Sequence, residues 1–140
     1  MVNPIKKILV PLDGSKNSLR GLDMAIFLAR QTHSKIIGVY SHEMATSEFQ
    51  SLSSSLKKVP KEAGMFMESA KVRCATKGID FTYLILERDP RFNILKFANQ
   101  KKADIIIMGS RGMGGLKEML LGSVSNHVVH KSKIPVLIVK

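Results

Sequence analysis

Apolar positions along this chain switch between two periods, one of strands and one of helices. From Ile5 to Leu12 an apolar run is broken only by Lys6 and Lys7, and such a continuous run suits a strand covered on both faces. Asp13-Gly14-Ser15 then supplies turn chemistry. Leu19, Leu22, Ile26 and Ala29 follow at steps of three and four, which predicts a helix from about Lys16 to Gln31 with Ser15 capping its first-turn amides. Lys35 to Tyr40 reads as the second strand, and the polar stretch Ser41 to Ser55 as a loop. Pro60 suits a first helical turn, and the stripe Ala63, Phe66, Ala70, Cys74 carries a second helix to a stop at Gly78. Asp80 to Leu86 is the third strand. Asp89-Pro90 opens a third helix with Ile94, Phe97 and Ala98 facing inward, ending near Lys102. Asp104 to Met108 is the fourth strand, Ser123 to about Lys131 the last helix, and Pro135 to Val139 the fifth strand.

This alternation predicts an α/β fold, a doubly wound five-stranded parallel sheet with right-handed crossovers and helices on both faces. At 140 residues the chain matches one ordinary domain, 1–140, able to bury about two-thirds of its unfolded surface. No internal repeat or linker interrupts the pattern.

Composition narrows the class without choosing a function. Apolar residues are 44% and charged residues 24%, ordinary values for a folded soluble protein. No apolar run approaches the roughly 18 residues of a membrane span. The apolar stretch before Asp13 is too short for a secretory signal, so a cytoplasmic location is expected. The single cysteine, Cys74, lies in step with the inward stripe of its helix and is expected to be a buried thiol. A net charge of +11 favours anionic partners. Its lysines are scattered as pairs, Lys6-Lys7, Lys57-Lys58 and Lys101-Lys102 among them, which reads as a solvated basic surface. Without a recognition helix or stacking aromatics, any nucleic-acid binding is expected to be weak, steeply salt-dependent and without sequence preference.

Two strand ends carry the chemistry. Open parallel sheets bind ligands beyond the carboxyl ends of their strands, where the winding reverses. Pro11-Leu12-Asp13-Gly14-Ser15 follows the first strand, and Gly109-Ser110-Arg111-Gly112-Met113-Gly114-Gly115 follows the fourth. Gly122-Ser123 then opens the last helix, whose start presents unpaired amides and a partial positive charge. Glycine lets backbone N–H groups approach phosphate oxygens without an intervening Cβ. Loop and helix start together form a candidate polyphosphate cradle.

The spacing Gly109-x-x-Gly112, nine residues, then Gly122-Ser123 resembles the nucleotide motif of the ATP-binding branch of the universal stress protein family. The segments Ala103 to Ser125, Lys6 to Ser15 and Pro135 to Val139 are similar to that family, so the resemblance covers the whole chain. It implies a Rossmann-like sheet of order 3-2-1-4-5, with adenine near the backbone of Val39 and beside Pro11, and Asp13 near ribose and phosphates. It also implies that Met108 lines the pocket. The amides of Gly109, Ser110, Arg111, Gly112, Met113, Gly114 and Gly115 would surround the phosphates, joined by Ser123, Val124 and Ser125 at the helix that Gly122 opens. ATP is the implied ligand, with AMP or ADP as alternatives. Mg²⁺ would arrive with the nucleotide, because it keeps water and phosphate ligands and needs few protein carboxylates; Asp13 is the nearest candidate. The resemblance further implies a homodimer through the strand Pro135 to Val139, whose apolar edge needs cover. One departure is Arg88-Asp89-Pro90, where the family often has glycine two residues before the proline.

Enzyme signatures are sparse. No GxxxxGK[ST] is present, so the Walker lysine is missing. His127 and His130 are three residues apart without a third ligand, and His33 and His42 have no evident acid partner, so they read as ordinary surface or core histidines. The expected function is a nucleotide-binding stress or signalling module with at most slow ATP hydrolysis. A phosphohydrolase or nucleotidyl transferase is the alternative, and a nucleic-acid-binding protein the third reading.

Overall fold

A computed structural model describes residues 2–43, 60–112 and 120–140. Its elements are β1 (Lys7–Pro11), α1 (Lys16–Thr32), β2 (Lys35–His42), α2 (Lys61–Ala75), β3 (Phe81–Glu87), α3 (Pro90–Gln100), β4 (Ile105–Gly109), α4 (Ser123–Lys131) and β5 (Val136–Val139). They form one five-stranded sheet of order β3-β2-β1-β4-β5. Every pairing is parallel, with Pro11 opposite Val39 and Ile8 opposite Ile105. The expected order is therefore the observed one.

Period-two alternation in buried strands divides the core between the two faces of the sheet. Ile8, Val10 and Ile107 join Leu22, Ile26 and Ala29 of α1 and Met67, Ala70 and Cys74 of α2 on one face. Leu9, Ile106 and Met108 join Ile94 and Ala98 of α3 and Val128 of α4 on the other. The central strands are sealed on both sides, which is why their sequence runs apolar without alternation.

Helix α2 departs from its expected stripe. Met67 takes the buried position beside Ala63, Ala70 and Cys74, while Phe66 is only partly buried. The reason lies in the strands beneath. A Cβ at Gly38 would sit 2.7 Å from the Phe81 ring and 3.4 Å from the Met67 sulfur, so these side chains fill the space that glycine leaves. Phe66 instead meets Tyr40 edge-on, ring centroids 5.3 Å apart, and lies against Gly14. Phe97 of α3 is likewise half-buried, and the buried positions of that helix are Asn93, Ile94 and Ala98.

Cys74 is fully buried, and burial pushes its thiol up to about 11. Because only the thiolate is nucleophilic, the native thiol is expected to resist Ellman's reagent at pH 8 and to react at once in denaturing urea. Fast reaction of the folded protein would contradict the packing described for α2.

Candidate functional site

β1 and β4 are neighbours, yet their chain continuations leave in opposite directions across the sheet, so a cleft opens beyond their carboxyl ends. Its volume is about 390 Å³, within the range of small-molecule sites.

The floor comes from β1 and its turn. Gly14 has φ +84°, a left-handed conformation that glycine adopts without steric cost. Asp13 bends into that turn: its Oδ1 accepts the Ser15 N–H at 2.9 Å. Ser15 caps α1 by accepting the Ser18 N–H at 3.1 Å, and the Ser18 hydroxyl returns a bond to the Ser15 carbonyl at 2.9 Å. Asp13 thus has a turn role through one oxygen, while its other oxygen faces the second loop. A Cβ added at Gly112 would fall 2.6 Å from Asp13 Oδ2. With any other residue at Gly112 the Asp13 carboxylate would have to shift away from its present place.

The opposite wall comes from β4 and α4. Ser110 donates its amide to Val139 at 2.9 Å and accepts the Gly122 N–H at 2.8 Å, tying the glycine loop to the helix entrance. The first intrahelical bond of α4 runs from Asn126 N–H to the Gly122 carbonyl at 2.9 Å, so Ser123, Val124 and Ser125 present first-turn amides. Gly122 caps the helix with no side-chain hydrogen bond. An uncapped helix start of this kind attracts anions. The Ser125 hydroxyl, however, donates to the Gly109 carbonyl at 2.8 Å and is buried, so this residue offers the cleft its amide.

Of the residues singled out from sequence, Pro11, Asp13, Val39, Met108, Gly109, Arg111, Gly112, Gly122, Ser123, Val124 and Ser125 line this one cleft. Ser110 is buried behind it as the tie to Gly122. Met113, Gly114 and Gly115 lie outside the described residues, as does the loop Ser41 to Ser55 beyond Glu43. Ser41 and His42 themselves extend β2.

Sequence reasoning missed the third wall, made by Tyr40, Ser41, Pro90 and Ile94. Asn93, a buried polar side chain, holds it together. Its amide donates to the Ser41 hydroxyl oxygen at 2.7 Å and to the Glu87 carbonyl at 2.8 Å. Ser41 in turn donates to the Arg88 carbonyl at 2.6 Å, and the Arg88 N–H reaches the His42 carbonyl at 2.8 Å. This lacing holds Arg88 at φ 97°, a conformation costing a non-glycine residue about 1–3 kcal/mol. That strain accounts for glycine being suited to this helix entry. The signal available in the sequence was an asparagine beside Ile94 on the inward face of α3.

The electrostatics agree with the geometry. Burial, then the Asp13 and Glu62 carboxylates, raise the Tyr40 hydroxyl above its ordinary value. The Arg91 guanidinium holds Asp89 below the usual carboxylate range, so the α3 entrance stays an ion pair at 2.6 Å. His127 is half-buried and edge-on to Phe92, centroids 5.6 Å apart, and His130 is exposed. Among the described residues no three His, Cys, Asp or Glu side chains converge as a metal cage. One carboxylate beside a glycine loop and an uncapped helix start is a donor set that would fit Mg²⁺ arriving with a phosphate ligand, since that ion takes its remaining ligands from phosphate and water. No described helix is long and apolar enough to cross a membrane.

The family model described as "Universal stress protein family" matches residues 4–140. The Bacillus subtilis universal stress protein YxiE is 35% identical over 145 residues, covering 96% of this chain and 98% of the relative. The solved structure of MJ0577, a universal stress protein of Methanocaldococcus jannaschii, superposes with a TM-score of 0.84 at 34% identity, covering 99% of this chain and 97% of that one. A universal stress protein solved in complex with cAMP gives a TM-score of 0.73 at 26% identity, covering 98% of both chains. Matching in family, fold and length from one end to the other, this chain belongs to the universal stress protein family.

Proposed function

We propose that the cleft binds an adenine nucleotide, ATP foremost, and that the protein works as a ligand-responsive stress module. The observation that carries this is the convergence of an uncapped helix start, a glycine loop and one carboxylate at the mouth of one cleft. Val39, Pro11 and Met108 offer a narrow apolar slot for the base. The amides from Gly109 onward and those of Ser123, Val124 and Ser125 take the phosphates. Asp13 holds the accompanying Mg²⁺, which offsets phosphate charge. The related cAMP complex supports an adenine ligand. The sequence has no Walker-type GxxxxGK[ST], and the reading we favour is binding with at most slow hydrolysis. Mass spectrometry of the small molecule that copurifies, followed by titration with ATP and GTP, tests the reading. A chain that binds neither at millimolar concentration has a different function.

Two expectations follow for side chains. Ser123→Ala removes one hydroxyl and keeps the amide; a hydrogen bond to a charged group contributes about 1.5–3 kcal/mol, so affinity should fall about ten- to a hundredfold. Asp13→Ala should weaken ATP binding more in Mg²⁺ than in EDTA. An equal loss in both would assign Asp13 to its Ser15 turn alone.

The assembly we propose is a homodimer through β5. This strand is at the sheet edge, and Leu137 there is 37% exposed. Antiparallel pairing with a second copy would satisfy its open backbone groups. Light scattering at micromolar concentration should give twice the 15.5 kDa chain mass; a monomer would refute it.

A further inference from the structure

Lysine pairs that are scattered in sequence meet at one end of the fold, opposite the cleft. In a parallel sheet with crossover helices, strand starts and helix ends share one pole. Lys6, Lys7, Lys35 and Lys133 stand at or just before strand starts. Arg30, Lys77, Lys101, Lys102 and Lys131 stand at or just after helix ends. All are exposed except half-buried Lys7. Asp80 and Asp104 are the acidic residues among these strand starts.

The two acids offset only two of these nine cations, which leaves the pole strongly positive. Asp104 Oδ2 accepts the backbone N–H groups of Lys6 and Lys7 at 2.8 and 2.9 Å, so that oxygen is bonded to main chain and not to a lysine ammonium. Lys7 Nζ donates to the Lys101 carbonyl at 3.1 Å, which fastens the β1 start to the α3 end. The ion pairs of Arg73 with Asp23 and of Arg91 with Asp89 involve none of these cations.

Helix dipoles account for part of this charge, since cations stabilise helix C-termini. They do not account for the lysines at strand starts, where no dipole favours them. Lys102 is more telling: it follows the end of α3 with φ 54°, the left-handed position where glycine is the usual residue. A lysine there gives up backbone ease and adds charge.

We propose that this pole binds the sugar–phosphate backbone of double-stranded nucleic acid, without base readout. Five strands about 4.8 Å apart make it about 19 Å across, enough to span a major groove about 12 Å wide and the phosphates at both its edges. No Phe, Tyr or Trp stands among Lys6-Lys7, residues 30–35, 77–80, 101–104 and 131–135, and the imidazole of His33 is the one ring there. One imidazole is no platform for stacking successive unpaired bases, and aromatic anchors for a membrane surface are lacking. Double-stranded phosphate is the anion this surface fits. The proposal is independent of the nucleotide reading, because the cleft lies at the other end of the strands.

Fluorescence anisotropy with two unrelated labelled duplexes at about 50 mM salt tests it. Both should bind alike, with log K falling against log salt at a slope of about −4, the signature of four to five phosphates neutralised. The double variant Lys35→Glu/Lys102→Glu should lose at least about tenfold and flatten the slope by about two. Lys71→Glu, on the flank of α2, should change affinity less than about twofold. Lys102→Gly should weaken binding without lowering the melting temperature, which separates charge from folding. Saturating ATP should leave the duplex bound. The proposal is overturned if no salt-dependent duplex binding appears, or if Lys71→Glu costs as much as the polar pair. It is equally overturned if ATP displaces the duplex, if Lys102→Gly binds as wild type, or if phosphatidylserine vesicles bind more tightly than duplex at the same salt.

Discussion

Gly122→Asp is expected to abolish ATP binding while leaving the protein folded and at least as heat-stable as wild type. The backbone at Gly122 has φ −69° and ψ 169°, values open to any residue. A Cβ there would have Arg111 Cα at 3.5 Å and the Gly112 nitrogen at 3.7 Å as its nearest neighbours, which is ordinary contact. Aspartate is among the best helix caps, since its carboxylate accepts the second or third amide of the helix. It would also complement the positive end of α4. The gain to the helix is the loss to the ligand, because the same amides are the proposed phosphate donors. An added carboxylate about 4 Å from a phosphate costs about 4 kcal/mol at the effective dielectric of a protein surface, or about two to three decades of affinity. Titration calorimetry and a thermal melt on one preparation check both halves. A folded variant that binds ATP as wild type would mean that α4 does not hold the phosphates.

Gly112→Asp should abolish binding by another route. Its Cβ would press on the Asp13 carboxylate, 2.6 Å away, and two carboxylates would then crowd one entrance. Asp13 is fixed by the Ser15 amide, so it has little room to retreat, and some stability should go with the affinity. The two variants therefore separate in the melt, although both fail in the titration.

What the sequence made legible was backbone chemistry and period. The apolar run in Asp104 to Met108 read as a strand covered on both faces, as β4 is, and the glycines of the loop after it marked close approach before any contact was known. Side-chain assignments depended on what lay across the fold. Phe66 and Met67 are adjacent on α2, and the sequence favours Phe66 as the buried one. Gly38 decides otherwise, leaving a hollow that Phe81 and the Met67 sulfur occupy. Helical spacing gives a face, but which neighbour a strand glycine admits depends on sheet register. Asn93 was missed for a similar reason. Its partners, Ser41 and the Glu87 carbonyl, belong to two other strand ends, and only the β2–β3 register, His42 opposite Glu87, brings them together. The gathering of lysines at one pole was hidden in the same way: each pair is local, while the pole is made by topology.

Gly109→Ala is expected to produce the largest loss of stability of any single methyl added at this site. The new Cβ would lie 2.5 Å from the Asn17 carbonyl oxygen and 2.7 Å from its carbon, both backbone atoms in the first turn of α1. A long side chain could swing aside, but a helix backbone must move as a body. α1 is held by Leu22, Ala25 and Ala29, all fully buried, and by its Ser15 cap. Overpacking against such a neighbour costs about 1–3 kcal/mol, occasionally more, so the upper end, about 3 kcal/mol, is expected here. For a chain of this length that is a fall in melting temperature of about 6–12 °C. Gly21→Ala makes the internal comparison, because it probes the same approach from the helix side. Its Cβ would meet the Gly109 nitrogen at 3.2 Å and the Met108 carbon at 3.3 Å, a milder encroachment. Alanine is also favoured over glycine within a helix by about 1 kcal/mol, so the two effects nearly cancel and the melt should shift little. The order of the two variants is the test. Should Gly109→Ala melt with wild type while Gly21→Ala falls, the approach of α1 to β4 is not limited at Gly109. The Asp13 turn, which leads into α1, would then owe its placement beside Gly112 to some other contact.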